Sequence, residues 1–484
     1  MQTLVPQSAI STAAPSGKVG RVLGFGMTPL TLLLFAAGLV LAVPAFYHPR
    51  AIYFLLAWDA LLLALVVIDA ALLPRPEAFT VTRGFLDSPQ LGEATRVELA
   101  VRLDANSVVD VRLVDDLHPA LIGAPAVQRV EAFPREDAVS TTTIYPRERG
   151  DFALGKVYLR YRGVFKLVER WAAAAPAQRV RVFPAHEDSR ESTAFYLLRA
   201  RQIEMQKRRL QLRGVGRDFE SLRDYQPGDE LRNVSWTATA RRGRLVTRQF
   251  TVERSQQVWI VLDAGRLSRT AFELKRDDKE IAFAETPAER DAAHLLTVTQ
   301  LDQATTAATM LAQVINGSGD KFGMMAYGRG IQQLLPPGQG ANHLRLLIDM
   351  LAQTRSEAAE ADALYAVARL KSMQRRRGMM VWITEMVDSV GRPEIAAAAA
   401  ELVRRHLVVL VLLKHPELEQ LAACMPRNRD EMFHAAAAQE MLERRRETIA
   451  QLERQGVLVV ETTAEEVGVR TVSKYLEVKA EGLL

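Results

Sequence analysis

A single cysteine, Cys424, in 484 residues excludes an intrachain disulfide, and such scarcity suits a reducing compartment. Several enzyme signatures are missing as well: the chain holds no GxxxxGK[ST] phosphate loop, no GxSxG elbow and no HExxH pair. Gly214-x-Gly216 is a lone glycine doublet that follows no strand-like run. Cys424 with His434 ten residues on reads as an incidental pair, and His406 and His415 flank an apolar run as structural or surface residues. Asp263, Glu385 and Asp388 remain as acid/base candidates by position alone. Without the rest of a mechanism they predict no catalysis and no cofactor.

What is present is hydrophobic material for two or three domains and a membrane segment, with 48% hydrophobic and 25% charged residues. Two apolar runs, 30–47 and 51–73, are each long enough to cross a hydrocarbon core of about 30 Å, with only His48-Pro49-Arg50 between them. That spacing predicts a helical hairpin over 27–74 that meets the lipid bilayer, with a tail, 1–26, before it. Lys18, Arg21, Arg75 and Arg83 flank the hairpin against Arg50 in its turn, so the positive-inside tendency places tail and C-terminal bulk in the cytoplasm. The rival reading is a signal peptide over 1–45 with the second helix as anchor. Asp59 and Asp69 lie within the second run, Asp69 within reach of the interface and Asp59 near mid-depth.

From 79 to 185 the apolar period becomes two, as in Val97, Leu99, Val101 and Leu103, which predicts a β-sandwich acting as spacer or binding module. Residues 186–254 form a basic linker. Its core, 199–254, holds 14 Lys+Arg against 7 Asp+Glu, and the interleaved acids favour an internal ion-pair lattice over contact with anionic lipid or nucleic acid. Over 255–484, strands at 257–263, 322–327, 379–384, 407–413 and 457–461 alternate with helices at 301–315, 343–351, 361–373, 393–404 and 430–454. This is a doubly wound α/β pattern, with an antiparallel edge at 331–335. Ligand sites in such sheets lie at the carboxyl ends of strands, here Asp263 and Thr384-Glu385.

The most distinctive stretch is GVGRDFESLRDYQPGDELRNVSWTATAR from Gly214, followed by GDKFGMMAYG (319–328), LLPPGQGANHLRLLIDML (334–351) and the terminal YLEVKAEGLL. It resembles domain-of-unknown-function family fifty-eight, bacterial membrane proteins with a von Willebrand factor A-like (Rossmann-like) domain that accompany MoxR-type AAA+ ATPases. RERGDFALGKVYLRYRGVFKLVER (147–170) is similar to the region before that signature, often described as immunoglobulin-like. The resemblance implies a multidomain protein at the bacterial inner membrane that binds such an ATPase.

A von Willebrand factor A domain holds its divalent metal with Asp-x-Ser-x-Ser after the first strand and an aspartate after a later one, a set of hard oxygen ligands. The matching positions here are Asp263, Gly265 and Leu267, and Glu385 stands for the later aspartate. The expectation is a vestigial rim of Asp263, Gly265, Leu267, Thr384 and Glu385 with no functional metal. Residues 266–294 form an insert, either a cover for that rim or a solvated loop. Partner contact is assigned to Arg223, Asp224, Tyr225, Asp229, Arg232 and Trp236, with Trp236 expected to pack against the sheet. A non-catalytic adaptor or scaffold is the expectation; a metal-dependent adhesion-type domain is the alternative.

Overall fold

The computed structural model describes residues 16–40, 43, 50, 52–122, 127–176, 178–185, 190–211, 218–226, 231–251, 256–275, 295–385, 394–414 and 416–483. The chain divides into two compact units, Met1–Phe183 with Glu273–Thr297, and Pro184–Phe272 with Val298–Leu484.

The first unit begins with strand β1 (Ser16–Met27), helix α1 (Pro29–Val40) and helix α2 (Ile52–Leu72). Strands β2 (Phe79–Phe85), β3 (Thr95–Leu103), β4 (Val109–Asp115), β5 (Leu121–Ile122), β6 (Gln128–Ala132) and β7 (Asp137–Pro146) follow. Then come β8 (Gly150–Ala153), β9 (Val157–Arg162), β10 (Val168–Ala174) and β11 (Arg179–Val182). Nine strands form one antiparallel sheet in the order β5-β7-β3-β2-β1-β10-β9-β4-β6, and β8 pairs with β11. Alternation does the folding: Val81, Leu99 and Val101 of one half share a core with Val111, Leu159 and Tyr161 of the other.

Two stretches take a form that the sequence reading did not anticipate. Residues 16–26, read as tail, form strand β1 together with Met27 of the expected hairpin, and it pairs with β2 at Gly17–Val81 and with β10 at Gly24–Trp171. The sheet therefore brackets both apolar helices. Only α2, with 21 residues and mean hydropathy 2.3, is long and apolar enough to cross a membrane among the described residues. Helix α1 spans 12 residues, roughly 18 Å at 1.5 Å per residue, and most of 41–49 lies outside the described part. The two helices touch where Gly38 leaves room for the Trp58 ring, whose Nε1–H donates to the Leu34 carbonyl at 3.2 Å.

The helices are tied to the sheet at one turn. Asp69 is fully buried and accepts the backbone N–H groups of Phe165, Leu167 and Val168 at 3.1, 2.9 and 3.1 Å. From α1's side, Thr28 donates its hydroxyl to the Lys166 carbonyl at 2.7 Å and Thr31 donates to that of Leu167. A Cβ on Gly163 would lie 2.3 Å from the Asp69 carboxylate, so only glycine admits this approach. Asp69 is thus a structural acceptor at the helix end. Elsewhere in the unit, the fully buried Arg83 pairs with Asp115, whose carboxyl burial pushes above the usual range while Arg83 pulls it back.

The second unit opens with α3 (Arg190–Gln211), β12 (Asp218–Asp224), α4 (Trp236–Arg242), β13 (Val246–Thr251) and β14 (Gln257–Asp263). After the paired strands β15 (Ala271–Lys275) and β16 (Leu295–Thr299) come α5 (Gln300–Gly317), β17 (Lys321–Tyr327), β18 (Ile331–Gly338), α6 (Ala341–Gln353) and α7 (Ala363–Met373). Strand β19 (Met379–Thr384), α8 (Glu394–Val403), β20 (Leu407–Leu413), α9 (Pro416–Ala423), α10 (Arg429–Arg454), β21 (Leu458–Thr462) and α11 (Val467–Glu481) complete it. Six strands run β18-β17-β14-β19-β20-β21, parallel except for β18. Helices α3, α5, α6 and α11 cover one face; α7, α8 and α10 cover the other. The stretch read as a linker is built into this unit, because α3 buries Tyr196 and Ala200 in the first of those cores.

The terminal YLEVK run acquires a role here. Tyr475 and Lys479 of α11 donate to Asp320 at 2.6 and 2.8 Å, and the other Asp320 oxygen accepts the Gln256 N–H at 3.1 Å. Asp320 and Lys479 side chains are 1% and 4% exposed, so each needs the other. Removing one partner of a buried ion pair costs about 3–5 kcal/mol. Lys479→Met is expected to destabilise the chain by about 3 kcal/mol in urea melts, and Lys479→Met with Asp320→Asn to recover part of that loss.

Candidate functional site

The carboxyl edge of the six-stranded sheet brings together Asp263 at the end of β14 and Thr384-Glu385 at the end of β19, as their parallel register requires. Asp263 uses both oxygens: one accepts the Gly265 N–H at 2.9 Å, the other the Thr384 hydroxyl at 2.9 Å. Desolvation raises its pKa above the usual carboxylate range, the two hydrogen bonds oppose that, and Glu385 adds to it. Behind it the buried Tyr327 hydroxyl accepts the Trp382 indole N–H at 3.0 Å. Burial, with Asp263 nearby, holds that phenol well above its ordinary value.

Asp263, Thr384 and Glu385 line a cavity of only about 10 Å³, together with Ser268, Gln300 and Leu413. That is at the lower limit for one water molecule. Ser268 and Gln300 escaped the sequence reading. Ser268 comes from a single-turn helix at Arg266–Arg269 that turns its side chain inward, where its hydroxyl donates to the Gly265 carbonyl at 2.7 Å. Gln300 is the first residue of α5, whose start is fixed by a capping box in which Thr299 and Asp302 bond reciprocally.

Residues 354–362 close the edge. The Glu357 N–H donates to the Ala264 carbonyl, the Arg266 N–H to that of Ala359, and the Asp362 N–H to that of Gly328, at 2.8, 2.8 and 2.9 Å. A Cβ on Gly265 would meet Ala361 at 2.8 Å, so this position has no space for a serine. Leu267 is half-buried. The donors therefore do not fit an Asp-x-Ser-x-Ser metal centre: one hydroxyl is sterically barred, the Ser268 and Thr384 hydroxyls are engaged, and the cavity does not accommodate a hydrated ion. Of the insert, 276–294 lies outside the described residues, as do Asp388 and His415. His406 is buried at the foot of β20, the end opposite the strand tips, and Cys424 is exposed.

The six partner-contact candidates fall on a different element. Arg223 and Asp224 end β12, Tyr225 follows, Arg232 lies in the turn Leu231–Asn233, and Trp236 opens α4. Strand β13 gathers them: Tyr225 N–H donates to the Leu245 carbonyl and Ser235 N–H to that of Val246, at 2.9 and 2.8 Å. Asp224 pairs with Arg244 at 2.8 Å in an exposed bridge. Trp236, expected to pack against the sheet, is instead 65% exposed, beside Leu231 at 66% and Leu245 at 42%. Its helix is only seven residues long and stands on a two-stranded hairpin, which offers no face large enough to cover an indole. Asp229 lies outside the described residues.

A family model described as protein of unknown function DUF58 matches residues 221–288 and 272–424, a span that holds both β13 and the Asp263 edge. Over this span, which is less than half of the chain, the protein is similar to that family. Its uncharacterized relative Rv1480 of Mycobacterium tuberculosis is 25% identical over 207 residues, covering 42% of this chain and 56% of its own length. The uncharacterized YeaD of Bacillus subtilis is 27% identical over 203 residues, 41% of each chain. This chain thus spans about half the length of the curated relatives it matches. Among solved structures, the ASH/PapD-like domain 7 of human CEP192 aligns with 21% of this chain and 81% of its own at 15% identity, with a TM-score of 0.14 that carries no argument.

Because the Asp263 pKa is raised, the folded state holds that proton more tightly than the unfolded chain does. Stability then falls as pH rises from the ordinary carboxylate value through the raised one. Asp263→Asn, which keeps an acceptor for Gly265, is expected to melt higher than the parent at pH 8 and to lose that advantage near pH 3.5. Parallel curves across the range would contradict it.

Proposed function

We propose that this chain is a membrane-anchored, non-catalytic adaptor that binds a MoxR-type AAA+ ATPase and its client through a von Willebrand factor A-like domain with a degenerate metal site. One observation carries the reading: the strand edge where such domains take metal and ligand is closed by 354–362, while the β12–β13 segment holds Trp236, Leu231 and Leu245 out to solvent beside Arg223, Asp224 and Arg244. An exposed indole on a short segment that also carries charged side chains is the composition of an interaction hot spot. The non-catalytic part is supported by Asp263, whose two oxygens are engaged by neighbours rather than aimed at a substrate. The anchor is supported by α2, and the basic residues Lys18, Arg21, Arg75 and Arg83 favour a cytoplasmic C-terminal bulk at the inner membrane.

Pull-down of the full chain from solubilised membranes is expected to recover the ATPase. Trp236→Ala or Asp224→Lys is expected to reduce recovery by a factor of about 30, a loss of about 2 kcal/mol, with an unchanged melting curve. Full recovery with both variants refutes this contact face. For topology, a C-terminal alkaline phosphatase fusion is expected to be inactive and a C-terminal green fluorescent fusion bright. The metal-dependent alternative calls for magnesium or manganese to raise the melting midpoint; a flat response is expected.

A further inference from the structure

The outward face of the first unit's sheet carries an arginine row. Cross-strand register sets Arg129 of β6 opposite Arg112 of β4, Arg112 opposite Arg160 of β9, Arg160 opposite Trp171 of β10, and Trp171 opposite Gly24 of β1. Like charges directly opposite one another are destabilising in an antiparallel pair, so three in line call for an anion. The adjacent row provides some: Glu169 takes Arg160 at 2.9 and 2.5 Å and Arg162 at 3.3 Å, and Asp110 and Glu131 lie in the same register. Arg112 is left over. Its Nε is buried with no hydrogen-bond acceptor among the described residues. Desolvation, with Arg162, Arg129 and Arg160, depresses even this guanidinium's pKa, against a smaller opposing pull from Asp110.

Between Arg112 and the indole lies a cavity of about 350 Å³, within the size range of ligand sites. Arg112, Arg160, Tyr158, Trp171, Val114 and Val127 line it, so one wall is cationic and the other aromatic or aliphatic. The Arg160 guanidinium stands 5.9 Å over the Trp171 ring, and a Cβ on Gly24 would strike that ring at 2.8 Å, so the indole lies on bare backbone. The site is close to the helices. Arg160 precedes Gly163 by three residues, roughly 10 Å of strand, and the turn that begins there carries the Asp69 and Thr28 bonds that root α2 and α1. At its tip Val164 and Phe165 are 60% and 47% exposed.

We propose that this cavity binds the phosphate-bearing headgroup of an anionic phospholipid. Arg112 takes the phosphate oxygens, for which a guanidinium is geometrically suited, while Arg160 stays paired with Glu169 beside it. Trp171, level with both arginines, lies along the glycerol region, where aromatic side chains settle at a membrane interface. The occupant follows from continuity: the strands that line the cavity run directly into the turn that holds the apolar helices, and a cationic surface at that depth meets anionic headgroups. The site rests on the membrane anchoring proposed above.

The test uses the full chain in neutral detergent, its melting midpoint followed against short-chain phosphatidylglycerol, short-chain phosphatidylcholine, inorganic phosphate and hexaglutamate. Phosphatidylglycerol alone is expected to raise the midpoint, saturably and by roughly 5 °C at a hundredfold excess over Kd. Arg112→Gln and Trp171→Ala are each expected to weaken that response about tenfold, and Trp171, being partly exposed, is the variant whose folding is not at stake. An equal rise with inorganic phosphate makes this a free-anion site and overturns the lipid assignment; an equal rise with hexaglutamate makes it a peptide site and does the same. So does a flat response, or one indifferent to both variants. Carbonate extraction scores the anchor separately: protein that stays with the membrane yet ignores phosphatidylglycerol refutes this site alone, and protein released by carbonate refutes the anchor beneath it.

Discussion

A carboxylate that has no water to turn to organises the first unit. Asp69 is buried at the end of α2 and accepts three backbone N–H groups of the β9–β10 turn. Without it the buried Leu167 and Val168 N–H groups have no partner, and orphaned buried backbone groups cost about as much as the hydrogen bonds they lack. The requirement propagates outward. It demands glycine at 163, positions Thr28 and Thr31 of α1 on the carbonyls of the same turn, and sets the departure of both apolar helices from one corner of the sheet. The second unit repeats the device with Asp320, which joins β17, the lead-in to β14 and α11.

The alternation of apolar strands and amphipathic helices after residue 255 was legible because each parallel strand is covered on both faces. The runs at 257–263, 379–384 and 407–413 therefore carry no polar interruption and coincide with β14, β19 and β20. Period two likewise exposed β3 and β9. Strand β1 was hidden because glycine occupies positions such as Gly24, where the Trp171 ring takes the place of a side chain and no alternation is left to detect. Helix α3 was hidden because it is rich in arginine and lysine and commits Tyr196 and Ala200 to the core, too sparse a signal beside its charge.

Site residues divide along similar lines. Asp263 and Thr384-Glu385 are strand ends, and strand ends follow from strands. Ser268 reaches the same cavity only because a single-turn helix reverses the chain after Gly265, and Gln300 only because a capping box starts α5 there. The cover from 354–362 is held by backbone bonds to Ala264, Arg266 and Gly328 and by the side chains of Gln332 and Glu357, pairings across the fold that no local pattern in the sequence marks. Trp236 was misjudged for a different reason: hydrophobicity argues for burial, but a tryptophan on a seven-residue helix above a two-stranded ribbon has nothing to be buried by.

Strand β1 also constrains the order in which the first unit can assemble. Its hydrogen-bonding partners are β2, beyond the apolar helices, and β10, whose last residue is Ala174, about 150 positions later in the chain. During synthesis the leading strand must wait, edge exposed, while both apolar segments and eight further strands emerge. The β1–β10 seam therefore closes late in that unit's biogenesis, after both apolar helices have left the ribosome.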